Sequence, residues 1–153
     1  MANETLPRWL GPASRVNMWL LRRGLRIGTQ HILSVPGRRT GVMRSTPVSV
    51  VTLDEMRYIV SGEGLAWVAN ARAAGWGTLE RGRRTERVTL TEIPSAERGA
   101  VLRAFWYQVP QGRSFIARLF GLAGNAGPDD FEAAAPRCPV FRVWTAQSSS
   151  SPA

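Results

Sequence analysis

Lysine is missing from this 153-residue chain, so all 20 of its basic residues are arginine, against 11 acidic ones and a formal net charge of +9. That absence excludes tunable-amine chemistry and leaves planar, permanently charged guanidiniums, which bind oxyanions through two parallel hydrogen bonds. Cysteine occurs once, at Cys138, which rules out an intrachain disulfide and a Cys-based zinc site. Histidine also occurs once, at His31, which removes His-rich metal sites and argues against a Ser-His-Asp triad. No metal is expected. No apolar run reaches membrane-spanning length and none has the form of a signal peptide, so the expected location is cytoplasmic.

What is present suits one soluble domain. The hydrophobic share of 44% is ordinary for a globular chain, and no internal repeat or interdomain linker appears. The excess of positive charge predicts an anionic partner: a phosphorylated or carboxylated ligand, nucleic acid, or an anionic membrane face. Nucleic acid is not expected, because the arginines are dispersed and no aromatic-plus-basic strand motif occurs.

In chain order, residues 1–12 read as a lead-in and 13–27 as a basic amphipathic helix. Arg15, Arg22, Arg23 and Arg26 share one sector of it, opposite an apolar one. This helix either packs on the domain or makes peripheral contact with the inner face of a membrane. Residues 29–93 hold five strands, with a short Ala-rich helix at 66–74, closed by Gly75, between the third and fourth. Residues 95–135 are helical, opened by Ser95 as a cap, with a second helix at 113–122. A last strand spans 138–144, and 146–153 is a frayed Ser-rich tail. Six strands in this order fit a small, mostly antiparallel barrel with peripheral helices, mainly β in class, better than a βαβ sheet.

The chain is organised around residues 33–50. Two β-rich runs flank Pro36-Gly37-Arg38-Arg39-Thr40-Gly41, whose glycines allow a tight reversal. Its tip presents two guanidiniums, a hydroxyl and backbone N–H groups, a set suited to an anionic oxygen cluster; the competing reading is a solvated hairpin turn. On the following strand Arg44, Thr46, Val48 and Val50 share one face. Pro47 cannot donate to a ladder, so that strand is at an edge or bulged near its middle.

The Gly37–Gly41 turn, then Arg44 and Thr46-Pro47, then residues 67–75 (Trp-Val-Ala-Asn-Ala-Arg-Ala-Ala-Gly) together resemble the deazaflavin-dependent nitroreductase family. The resemblance spans about residues 15–144. It implies a split β-barrel fold related to flavin reductases and pyridoxamine-phosphate oxidases. It also implies reduced coenzyme F-420, an 8-hydroxy-5-deazaflavin with a phosphodiester and an oligoglutamate tail, as hydride donor to a quinone, nitro compound or other activated acceptor. Flavin mononucleotide ranks behind it as a cofactor.

Carried onto this chain, the resemblance has Arg38, Arg39, Thr40 and Arg44 hold the phosphate and tail carboxylates. Thr46, Pro47 and the backbone at Val60 and Ser61 would lie along the ring, and Trp67 and Asn70 would close the ring or phosphate side. Core packing competes as the role of Trp67, and satisfying backbone groups as that of Asn70. The loop at 61–65 lacks the cation common in the family, and Arg72 is the substitute considered. Tyr107, Ser114 and His31 are the candidates to hydrogen-bond or protonate an acceptor, beneath a roof of the first helix and residues 105–122. The competing function is a non-catalytic carrier of a fatty acid, haem or another cofactor. Monomer and homodimer are both open.

Overall fold

Side chains alternate between two faces along each strand, and here both faces of most strands find a partner. The computed structural model describes residues 30–145; the expected lead-in, first helix and tail lie outside them. The strands are β1 (Gln30–Pro36), β2 (Met43–Leu53), β3 (Met56–Val60), β4 (Trp76–Arg81), β5 (Arg84–Glu92) and β6 (Val140–Thr145). Between them lie α1 (Ala66–Ala74), α2 (Gly99–Gln108), α3 (Arg113–Leu119) and α4 (Pro128–Ala134). Every pairing is antiparallel, and the order β1-β2-β3-β6-β5-β4 closes on itself. The architecture is the mainly-β barrel with peripheral helices that the strand count predicts.

Two cores result. Inward-facing Leu33, Val35, Val48, Val50, Ile59, Leu79, Val88, Leu90, Phe141 and Val143 fill the barrel, and α1 plugs one mouth with Val68 and Ala71. On the outer wall, Val51, Tyr58, Val60 and Val140 meet Val101, Leu102, Phe105, Ile116 and Phe131 of α2 to α4. At roughly 1.5–3 kcal/mol per large buried side chain, both cores are substantial sources of stability.

The helical stretch is more broken than its apolar periodicity predicts. Ser95 does not cap a long helix: Ser95–Glu97 forms a single 3-10 turn without a side-chain cap bond, and α2 begins at Gly99. Arg98 accounts for the break. Its guanidinium donates to the carbonyls of Ile93, Pro136 and Cys138, pinning the chain to the entrance of β6. Helix α3 stops at Leu119 instead of 122, because Gly121 adopts φ +67° and Leu122 N–H returns to Ala117 O at 2.8 Å. That is a Schellman ending, which only a residue tolerant of positive φ supports readily.

Strand β6 starts at Val140 and not at Cys138, whose N–H closes the preceding turn onto Ala135 O. Burial pushes the Cys138 thiol up to about 12, so it behaves as a small core side chain rather than a nucleophile. Among the described residues no helix is long and apolar enough to cross a membrane, and no cluster of His, Cys, Asp and Glu has the makings of a metal site.

Candidate functional site

The β1–β2 connection folds as a closed loop because its glycines permit it. Gly41 sits at φ +77° and donates to Gly37 O at 2.8 Å, while Gly37 N–H donates to Val42 O at 2.9 Å. The Thr40 hydroxyl accepts from Val42 N–H at 3.2 Å, which leaves its own proton for a guest. Arg38, Arg39, Thr40 and Arg44 are all exposed. The Arg44 guanidinium lies over the loop, its Nε 3.7 Å from where a Cβ on Gly37 would sit.

Asn70 of α1 fixes the loop to the barrel. It is 4% exposed, and its Oδ1 accepts from both Arg38 N–H at 3.0 Å and Arg38 Nη1 at 2.9 Å. One buried carbonyl therefore orients the backbone and the fork of the same arginine. Arg39 and Arg44 make no ion pair or hydrogen bond among the described residues, so this end of the barrel carries three arginines that no described carboxylate neutralises. Beneath the loop, the hydroxyls of Ser34 and Ser45 share a 2.7 Å hydrogen bond, a contact that the sequence pattern does not announce.

Strand β2 changes neighbours along its length. Residues 43–49 pair with β1, whereas pairing with β3 begins only at Val50 and runs to Leu53. On the side away from β1, the stretch from Met43 to Ser49 has no strand partner among the described residues. This is the edge that Pro47 requires, and it splits the barrel wall. Thr46 and Pro47 are half-buried on this stretch.

The remaining expected site residues divide. Trp67 is half-buried against the barrel core, its ring 5.6 Å from Phe141, so packing accounts for it. Val60 packs on the outer core, and buried Ser61 donates both its N–H and its hydroxyl to Pro139 O at 3.0 Å, leaving only the neighbouring backbone toward the split. Arg72 lies two residues, about 200°, around α1 from Asn70. It is clamped by Glu63 and Glu92, at 3.0 and 2.7 Å, so its charge is already neutralised.

His31 is the second residue of β1, at the mouth opposite the loop and about 17 Å along the strand from Pro36. Tyr107 is 60% exposed near the end of α2, whose Gln108 exchanges two hydrogen bonds with Thr52 at the far end of β2. Ser114 is exposed at the start of α3. The three are not brought together with the arginine loop. Phe105 is core, and Trp106, Phe115, Phe120 and Leu122 pack against it.

Glu92 carries a pH dependence. The hydrogen bond from Arg72 holds its carboxyl below the usual carboxylate range; partial burial opposes this, and the charges of Arg72 and Arg98 add to it. A depressed folded-state value means stability that is present above about pH 4.3 and lost as pH falls through the lower folded value. Glu92→Gln should therefore flatten the acid limb of stability, by on the order of 1 kcal/mol between about pH 6 and 3. Urea midpoints across that range check this; parallel curves for variant and parent would contradict it.

A closed antiparallel six-strand barrel with one partly unpaired strand and flanking helices is a split β-barrel fold. Solved structures agree with that assignment. A structure described as a domain-swapped dimer is 16% identical with a TM-score of 0.56, over 88% of this chain and 96% of that one. An F420-H2 dependent reductase, FDR-A, is 17% identical with a TM-score of 0.50, over 75% and 93%. A Listeria innocua protein named as a pyridoxamine 5'-phosphate oxidase is 10% identical with a TM-score of 0.51, over 78% and 85%. These likenesses establish the fold. No protein-family profile and no curated protein matches the chain.

Proposed function

We propose that this chain is an oxidoreductase of the deazaflavin-dependent type, binding reduced coenzyme F-420 and serving a small activated acceptor such as a quinone or nitro compound. The observation that carries the reading is the Arg38 fork, held by buried Asn70 beside unpaired Arg39 and Arg44. The guanidiniums of Arg38 and Arg39 on the loop and of Arg44 at the start of β2, none of them in an ion pair among the described residues, fit a ligand bearing a phosphodiester and several carboxylates. The unpartnered edge of β2, adjoining that loop, fits a flat ring with donors and acceptors on its rim. The sequence resemblance and the shared fold with an F420-H2 dependent reductase point the same way.

When bound, the cofactor supplies the hydride, so the chain need not provide a strong acid–base constellation. Its own residues bind and orient. Arg38, Arg39, Thr40 and Arg44 hold the acidic end. The Arg39 and Thr40 N–H groups, the loop amides not already bonded within the described residues, can add to them, and Thr46 and Pro47 form the wall along which the ring lies. Leu119 at the end of α3 packs over Gly62, just beyond β3. Arg72 is left to its structural clamp.

Incubating purified protein with the reduced coenzyme and menadione tests the proposal. Donor oxidation that saturates with protein-bound coenzyme is expected; an unchanged donor would overturn it and leave the carrier reading. Asn70→Ala provides a second check. Losing both bonds to Arg38 should cost about 1–2 kcal/mol in stability and weaken coenzyme binding roughly tenfold. Urea unfolding and fluorescence titration read the two effects, and a variant with unaltered coenzyme affinity would contradict the anchoring role.

A further inference from the structure

Away from the arginine loop, the helices enclose a small cavity of their own. It lies between α2, α3 and the turn that precedes α4, measures about 160 Å³, and is lined by Trp106, Arg113, Ala117, Gly124, Asn125 and Phe131. A cavity of about that volume holds a benzene-sized guest. Buried Ala117 and Phe131 give it an apolar floor.

Trp106 builds the rest. Its indole N–H donates to Ala126 O at 2.9 Å, holding the turn against α2. Its backbone carbonyl accepts from Arg113 Nε at 2.7 Å, and the Arg113 guanidinium carbon sits 3.6 Å from the centre of its ring. These contacts fix the plane of the fork but bond only one of its three nitrogens. Neither Nη atom of Arg113 has a hydrogen bond or ion pair among the described residues, and the same holds for the N–H groups of Gly124 and Asn125. The acids of α4 are engaged elsewhere: Asp129 and Glu132 pair with Arg103, and Asp130 Oδ2 accepts from Gly127 N–H at 2.8 Å.

A guanidinium held by stacking and by one bond at Nε presents its two terminal nitrogens side by side, with little freedom left to lose when an anion arrives. One fork offsets one charge. A phosphate dianion would leave a second charge uncompensated beside an apolar floor, whereas a short carboxylic acid satisfies both halves of the cavity. From this we infer that the cavity binds a small monocarboxylate with a short apolar body, its carboxylate on the Arg113 Nη pair and its carbons over Ala117 and Phe131. The inference does not depend on the cofactor reading, since none of these residues belongs to the β1–β2 loop or to β2.

The test follows the chemical shifts of the full-length protein as butyrate is added, and in parallel its neutral isostere butyramide and inorganic phosphate, all at one ionic strength. Saturable butyrate shifts centred on the Trp106 indole N–H, the Arg113 Nε–H and the amides of residues 124–126 are expected, with butyramide and phosphate at least tenfold weaker. Arg113→Gln should weaken butyrate binding about tenfold, on the scale of a lost charge-assisted pair. That variant also loses the bond to Trp106, so Ala117→Leu serves as the second: it fills the floor, keeps the fork, and should abolish saturable binding while the thermal midpoint reports that the fold persists. Shifts that never saturate, equal affinity for butyrate and butyramide, phosphate binding tighter than butyrate, shifts centred on residues 37–44, or undiminished butyrate binding by folded Ala117→Leu protein would each overturn the inference. A failure of coenzyme turnover would leave this result untouched.

Discussion

Arg38→Ala is expected to weaken coenzyme F-420 binding by ten- to a hundredfold. A charge-assisted bond to phosphate or carboxylate is worth about 1.5–3 kcal/mol, which converts to that range. The same substitution at Arg39 should cost less, about three- to tenfold. The difference lies in preparation. Arg38 is already oriented by the Asn70 carbonyl at 2.9 Å, so little rotamer freedom remains to be lost when an anion arrives. Arg39 has no such tether and must surrender its freedom on binding. Fluorescence titration of both variants at one salt concentration checks the ranking. Equal losses, or a greater loss at Arg39, would contradict the preorganised fork.

Gly77→Ala should be the most destabilising of the conservative substitutions in the barrel, at about 3 kcal/mol. A Cβ there would lie 2.6 Å from Ser34 O and 3.2 Å from Val35 Cγ2. The first of these atoms is backbone, and it belongs to the seam where β1 meets β4 and the barrel closes. Neither strand can retreat without opening that seam. Gly62→Ala provides the contrast. Its close contact, 2.8 Å to Leu119 Cδ1, is with the end of a side chain that can turn aside, so a loss of about 1 kcal/mol is expected. Urea unfolding separates the two. Similar midpoints for both variants would show that the seam is compliant.

Much of this molecule was readable before its structure. Arg44, Thr46, Val48 and Val50 share one face of an extended run, and Pro47 excludes a central ladder position; together they locate β2 and its open edge. Gly75 ends α1 because the left-handed conformation at φ +75° suits it. Other features depend on contacts distant in sequence, which no local pattern encodes. The hold of Asn70 on Arg38 joins residues 32 positions apart. Arg72 looks available in the sequence, but Glu63 and Glu92 converge on it only after α1 docks on the barrel.

The aromatic residues of α2 and α3 suit a greasy pocket or a core equally well by composition; only packing assigns Phe105 to the core. The strand order puts His31 at the rim farther from the loop.

The account rests on where an acidic cofactor tail comes to lie. A crystal structure of the protein grown with coenzyme F-420 measures this directly. Phosphodiester or tail oxygens within hydrogen-bonding distance of the Arg38 guanidinium and the Arg39 and Thr40 amides, with the ring along residues 44–48, are the predicted result. A fully occupied coenzyme whose acidic end sits elsewhere, leaving the Arg38 fork bound only to Asn70, would contradict it.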